Sequence, residues 1–333
     1  MRDSMPENRV STEQLVIEAV AAAKTRESVT DIYFVACGGS YALMLPNQYA
    51  VDRLGKGITG HALNAAEFKA RSPARLGKSS IVILCSLSGT TPETVEAAKF
   101  ARAAGALTIS LTSGVGSPLD EASEHSVFYK HEPLTFKLDH AGAVLAQLTF
   151  GILAQREGSK ESLEILAAVS RMPELVDKAV ASHSARIREF GEARRRETVV
   201  YTMASGSNFG AAYSYSICIL QEMQWMHSAA IHAGEYFHGP FEITDSDVPF
   251  LVLRSIGTTK EVDDRAITFA KRFSTKVTVL DAEELGLGVI KPEIVEYVEH
   301  LMFSAVLRNY AQRLSFTRGH PLTVRRYMWQ IEY

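Results

Sequence analysis

Between Glu222 and Glu242 the chain reads EMQWMHSAAIHAGEYFHGPFE, which sets three histidines and three glutamates among mostly apolar residues. Ionisable side chains are seldom buried without a partner, so such a cluster points to acid–base chemistry. Glu222 closes an apolar stretch, SICILQEMQW, where partial burial raises a carboxyl pKa and suits it to act as a base. His238 stands beside Gly239-Pro240 and is suited to moving a proton near neutral pH. The two lie sixteen positions apart, about 24 Å along one straight helix. They can act together only if the chain leaves the helix at Gly234 and turns back, or if they meet across a subunit interface. Glu235 and His232 are further candidates, while His227, His232 and Glu242 fit structural pairing equally well. The histidine spacings of five and six do not stack on one helical face, so no metal site is read here.

A second group of residues suits an anion. Cys37-Gly38-Gly39-Ser40 follows one strand-like run, and Ser86-Leu87-Ser88-Gly89-Thr90-Thr91 follows another. Ser113-Gly114 and Ser117-Pro118 follow a third. Amides at a helix N-terminus attract anions, and hydroxyls add neutral donors. Ser40, Ser86, Ser88 and Thr91 therefore form a candidate phosphate cradle with no cationic clamp. Each could instead cap a helix, as Ser and Thr commonly do. Repetition of the loops favours the phosphate. No P-loop and no G-x-G-x-x-G pattern is present, so nucleotide binding is not supported.

The elements that must position these residues are legible as a rhythm. Residues 11–24 predict a helix opened by Ser11 with Gln14 three positions on. Strands are predicted at 31–36, 79–85 and 106–112, with helices from Tyr41 and from Pro92. The rhythm restarts with strands at 198–203, 249–253 and 276–280. A helix is predicted from about Gly210 to Trp225, another over 260–272 and a last one over 292–313. Strand, small-polar loop and helix in alternation mean parallel sheets. YFVACGGSYA and YTMASGSNFGAA sit at equivalent places in two similar halves. The expected fold is therefore α/β: two doubly wound, flavodoxin-like halves with parallel sheets and a helical C-terminal segment. The expected boundaries are 1–160, a helical connection over 161–195, and 196–333.

Composition excludes several classes. A net charge of −3 argues against a nucleic-acid binder. Cys37, Cys85 and Cys218 are too scattered for a disulfide framework or a zinc site, and fit a reducing cytoplasm. The N-terminal MRDSMPENRVSTEQ lacks the apolar core of a signal peptide, and no apolar run is long enough to span a membrane. A cytoplasmic protein with no membrane partner is expected.

The loops CGGSY (37–41) and SLSGTTPET (86–94), with GEYFHGPFE (234–242), resemble the sugar isomerase (SIS) domain family, including the isomerase domain of glucosamine-6-phosphate synthase. SICILQEMQWMHSAAIHAGEYFHGPFEITD and the C-terminal HPLTVRRYMWQIEY (320–333) resemble more closely the bacterial deglycases of phosphorylated Amadori compounds. These are the fructoselysine-6-phosphate and 6-phosphofructose-aspartate deglycases, the latter of fructose-asparagine utilisation. The resemblance covers both halves. It implies Glu222 and His238 as catalytic pair, and Ser40, Ser86, Ser88 and Thr91 as phosphate ligands. Leu87 stands where the synthase has glutamine, so the resemblance does not carry that contact over to this chain. It also implies a homodimer with shared active sites, since the related synthase takes its histidine from the neighbouring subunit. No cofactor is implied. The expected substrate is a sugar-phosphate amino-acid conjugate, and Gly39, Glu235, Arg325 and Arg326 are further candidates for binding it. Lys137 and His140 are weighed for its carboxylate as well, each equally readable as surface charge.

Two other readings follow from the same residues. A ketose–aldose phosphate isomerase would use the same base and loops but needs no amino-acid pocket. A sugar-phosphate sensor would carry a helix-turn-helix ahead of the sugar domain, and only about thirty residues precede the first strand. Those residues begin Met1-Arg2-Asp3, without the nucleophilic cysteine of a glutamine amidotransferase, so glutamine-dependent synthesis is not expected.

Overall fold

Parallel strands buried on both faces favour apolar runs, and DIYFVA, SIVILC and LTISLT become the three central strands of the first sheet, the buried hydroxyls of LTISLT being hydrogen-bonded, as Ser110 is to Ser126. The computed structural model describes residues 10–332, so the signal-peptide and amidotransferase readings fall largely on residues outside it. The chain divides into two compact units. The first runs to His131 and takes in Leu138–Leu166; the second takes Glu132–Lys137 and everything from Ala167.

The first unit opens with α1 (Thr12–Thr25), where Ser11 Oγ accepts from the Gln14 N–H. Only half of a capping box forms, because the Gln14 side chain bonds Glu18 instead. Then follow β1 (Asp31–Ala36), α2 (Gly38–Leu54), β2 (Thr59–Asn64) and α3 (Ala65–Arg71). The remaining elements are β3 (Ser80–Cys85), α4 (Pro92–Ala103), β4 (Leu107–Thr112), α5 (Pro118–Ala122), β5 (His125–Phe128) and α6 (Ala141–Glu157). All strands are parallel in the order β2-β1-β3-β4-β5. Tyr33, Val35, Val82 and Leu84 face Phe68 and the alanines of α4 in one apolar core. Asp31, fully buried at the start of β1, is held by Arg75 and by His61, each at 2.9 Å.

The division between units falls within α7 (Lys160–Ser182), which α8 (Ser184–Arg194) follows. The second unit contains β6 (Tyr201–Ala204), α9 (Phe209–Tyr213), α10 (Glu222–Gln224), β7 (Ala230–His232), β8 (Phe250–Arg254), α11 (Lys260–Phe273), β9 (Val277–Asp281), α12 (Pro292–Val295) and α13 (Glu299–Arg318). Its parallel sheet has the order β7-β6-β8-β9, the same pattern as the first four strands of the other unit.

Three edge strands escape the sequence reading. They are β2, which reads TGHALN, and the shorter β5 (HSVF) and β7 (AIH), part-polar strands with one side unpaired. The strand predicted at 198–203 is shifted to Tyr201–Ala204, since before it the Val200 N–H donates to the His227 carbonyl and the Thr198 carbonyl accepts from the His227 N–H, an isolated bridge outside the sheet. The last predicted helix is two, α12 and α13, and reaches Arg318.

Candidate active site

In the first unit the anion-suited loops emerge from adjacent strands. The helix expected from Tyr41 starts instead at Gly38, whose φ of +55° lets β1 turn directly into α2. Gly39 and Ser40 thus lie in the first turn, and the Cys37 side chain leaves that turn uncapped. The Ser40 hydroxyl bonds the buried Cys85 thiol at the end of β3, whose pKa burial pushes up. In the next loop Ser86 Oγ meets Thr91 Oγ1 at 2.9 Å and accepts from the Gly89 N–H. Ser88 Oγ meets Thr90 Oγ1 at 2.8 Å. Gly89 has φ +70°, and a Cβ there would lie 2.0 Å from Ser117 Oγ, so the loop requires glycine. Thr91 makes no side-chain cap to α4, and Pro92 takes the first helical position. Two helix N-termini without side-chain caps, lined with hydroxyls, can accept a phosphate. Leu87 is 43% exposed beside them.

The corresponding loops of the second unit are closed. Ser255 Oγ, the Ile256 N–H and Asn208 Nδ2 all donate to the Glu299 carboxylate, at 2.7, 2.8 and 2.7 Å. Ser205 Oγ and the Ser255 N–H donate to Asp263, and Thr258 donates to Glu296. Burial raises the pKa of Glu299 and pushes that of Asp263 up to about 7. The chain's own carboxylates fill the space where the first unit is open.

Glu222 lies where a helical run fails. After α9 the chain widens into a π-helix over Ser214–Gln221, and the Glu222 N–H bonds back to the Ile217 carbonyl. Such stretches are rare and recur at functional sites. The helix predicted to run to about Trp225 does end there, at Gln224. Trp225 adopts the left-handed conformation at φ +52°, and the Met226 N–H closes the end on the Leu220 carbonyl at 2.9 Å. A tryptophan at positive φ is strained and is held by neighbours. His320 packs edge-on to it at 4.5 Å, and the Arg326 guanidinium lies 4.3 Å over its ring. The reversal placed at Gly234 in the sequence therefore occurs at Trp225, with β7 between.

The segment after α13 returns across this helix end. Gln224 Nε2 donates to the His320 carbonyl, and Arg325 Nη2 lies 2.8 Å from Glu222 Oε1. Glu222, Trp225, His227, Arg325, Arg326 and Tyr327 line a cavity of about 640 Å³. Burial raises the Glu222 pKa, and the positive charges of Arg325 and Arg308 only partly offset it. The result is a half-buried, basic carboxylate facing a cavity.

His238 is exposed at the end of a 3₁₀ turn, Tyr236–His238, whose Tyr236 is buried, and is not among the residues lining that cavity. No hydrogen bond or ion pair joins it to Glu222 among the described residues. Glu235 is exposed one turn before it, and its carbonyl accepts from the His238 N–H. His232 is structural: Nδ1 accepts from the Gly234 N–H at 3.1 Å, its ring rests on Phe209, and burial lowers its pKa. Glu242 is exposed on the turn after Pro240. Lys137 is paired with Glu132 at 2.7 Å. Among the described residues no group of three or more His, Cys, Asp or Glu side chains is arranged to hold a metal, and no helix is long and apolar enough to cross a membrane.

The sequence reading missed Arg308 and the role of Trp225. Arg308 stands on α13, where only packing brings its Nη1 to 3.7 Å from the Met223 sulfur. The aromatic at 225 was visible, but nothing in residue type announces a left-handed tryptophan.

The SIS domain family matches residues 27–154. Over most of its length the chain is similar to fructosamine deglycase FrlB of Bacillus subtilis, 44% identical over 92% of this chain and 94% of that one. It is 28% identical to fructoselysine 6-phosphate deglycase of Escherichia coli K12, over 94% of this chain and 89% of the other. A crystal structure of a candidate phosphosugar isomerase from Salmonella typhimurium LT2 superposes with a TM-score of 0.94 at 38% identity, covering all of both chains.

Proposed function

We propose a reaction for a chain that belongs to the SIS-domain family and is an enzyme of the fructosamine deglycase type: it cleaves a 6-phosphofructosyl–amino acid conjugate to glucose 6-phosphate and the free amino acid. The observation that carries this reading is the half-buried Glu222, its pKa raised by burial, facing a cavity large enough for a small conjugate. The open hydroxyl-lined loops at Ser40, Ser86, Ser88 and Thr91 support the binding of a phosphate group. Gly39 would add a backbone amide to that cradle.

In the proposed sequence His238 moves a proton at the ring oxygen and opens the sugar. Glu222 then takes a proton from C1 while the C2 carbonyl oxygen gains one from solvent, giving an enolamine that the substrate nitrogen stabilises, and returns the proton to C2, which leaves a protonated imine at C1. The imine now at C1 adds water and releases the amine. Each such acid–base step contributes about 10²–10⁴-fold. Because His238 is exposed and apart from the Glu222 cavity, we assign it to the neighbouring chain of a cytoplasmic homodimer. Incubation with fructose 6-phosphate and with a panel of 6-phosphofructosyl-amino acids, reading glucose 6-phosphate by a coupled assay, tests the reading. Release from the conjugates supports it. Turnover of fructose 6-phosphate alone would identify a simple isomerase.

A further inference from the structure

The cavity at Glu222 holds more positive charge than the carboxylate neutralises. The Arg325 side chain is only 8% exposed. Its Nη2 pairs with Glu222 and its Nη1 donates to the Leu322 and Val324 carbonyls at 2.8 and 2.9 Å, but its Nε is buried with no acceptor. Arg308 repeats the pattern: its Nε is also buried without an acceptor, and it has no ion pair among the described residues. Arg325 and Arg326 line the cavity with Glu222, so its wall carries a net positive charge, and Arg308, packed on Met223 outside the lining, adds a buried cation whose charge acts on Glu222. Buried donors without acceptors are costly, and a second carboxylate is the group that best completes a guanidinium fork.

The proposed substrate carries such a group at the right place. In a conjugate joined through an α-amino nitrogen, the carboxyl carbon is three bonds from C1, within about 4 Å by standard bond lengths. A base acting on C1 must itself lie within about 3 Å of the proton it takes. A cation touching Glu222 is therefore in reach of the substrate carboxylate.

We infer that Arg325, backed by Arg308, is the receptor for the amino-acid carboxylate of the substrate. In the free enzyme Arg325 holds Glu222; in the complex it turns to the incoming carboxylate and frees Glu222 to act on C1. Arg325 is thus both a specificity and a positioning residue. The inference rests on the deglycase reaction proposed above.

Two conjugates of equal shape test it: 6-phosphofructosyl-glycine and its neutral counterpart 6-phosphofructosyl-glycinamide. The wild-type protein is expected to prefer the glycine conjugate by roughly 10²-fold in kcat/KM, the usual scale for a buried charge pair. Arg325→Leu should lose that preference mainly through KM, and Arg325→Lys should keep part of it. The acid limb of the pH profile, set by Glu222, should also move to higher pH in Arg325→Leu. Equal use of both conjugates by the wild type overturns the inference while leaving the deglycase reading intact. So does an equal loss on both in Arg325→Leu with an unchanged thermal midpoint, which would make Arg325 a tail anchor only. If the wild type cleaves neither, the reaction itself is wrong and the inference goes with it.

Discussion

Ser255 Oγ donates to the Glu299 carboxylate at 2.7 Å, in the place where the first unit presents the free hydroxyl-lined loop at Ser86. Both loops leave the third strand in sheet order and enter a helix, through Thr258-Thr259 in one unit and Thr90-Thr91 in the other. Glu299 takes a backbone amide, a hydroxyl and an amide side chain, the donor set a bound phosphate would use. Of the two topologically equivalent loops, the second is filled by the chain's own carboxylate. Glu299→Ala should lower stability by about 2–4 kcal/mol, since three buried donors lose their acceptor. Inorganic phosphate should then raise the thermal midpoint of the variant more than that of the wild type. No differential response would mean the loop cannot accept a free anion.

Asp263 gives a pH dependence with a definite sign. Burial lifts its carboxyl from 3.8 to about 7, so the folded state binds its proton more tightly than the unfolded chain does. Stability from this group is fully present below pH 3.8 and is lost as pH rises through about 7. The effect is at most on the order of 4 kcal/mol. Asp263→Asn removes it while keeping an acceptor for the Ser255 N–H. The thermal midpoint of the variant relative to wild type should climb between pH 5 and pH 8, and a parallel pair of curves would count against the assignment.

Replacing Glu222 by glutamine should cut release of glucose 6-phosphate by about 10²–10⁴-fold. The Arg325 contact can persist through the amide oxygen, so the circular dichroism spectrum should be unchanged. Near-normal turnover would remove Glu222 from the chemistry.

The hydroxyl loop is best probed at Ser88, which is exposed, rather than at Ser86, which also accepts from Gly89. Ser88→Ala should raise KM several-fold, about 1 kcal/mol for one lost hydrogen bond, and leave kcat near its original value. Gly89→Ala should damage the whole loop, because its Cβ would overlap Ser117. A Gly89→Ala protein with wild-type KM would show that the loop does not hold the substrate.

The proposed sharing of the site between two chains is open to a complementation test. Glu222→Gln and His238→Asn proteins, each inactive alone, should regain roughly a quarter of wild-type activity when refolded together, since half the dimers are mixed and each has one intact site. No recovery in a mixture proven to contain mixed dimers would return both residues to one chain.

Much of this protein is fixed locally. The runs DIYFVA and SIVILC are apolar enough for central strands, LTISLT joins them through its alternate apolar residues, and the small-polar loops behind them mark the ends where an anion can sit. Pro92 and Gly89 dictate their own turns through a preset φ and a missing Cβ. Glu222 was recognisable because a carboxyl stands at the end of an apolar helix. Its surroundings were not. The edge strands β2, β5 and β7 are defined by a hydrogen-bonding neighbour on one side, which no periodicity records. The left-handed Trp225, the Arg325 ion pair and the buried Arg308 depend on residues about 85–105 positions apart meeting in three dimensions. The sequence by itself determined which carboxylate could be basic and which loops could hold an anion. Only tertiary packing decided which cations surround that carboxylate, and which of two similar cradles was left open, because burial and charge pairing arise from contacts that chain order does not encode.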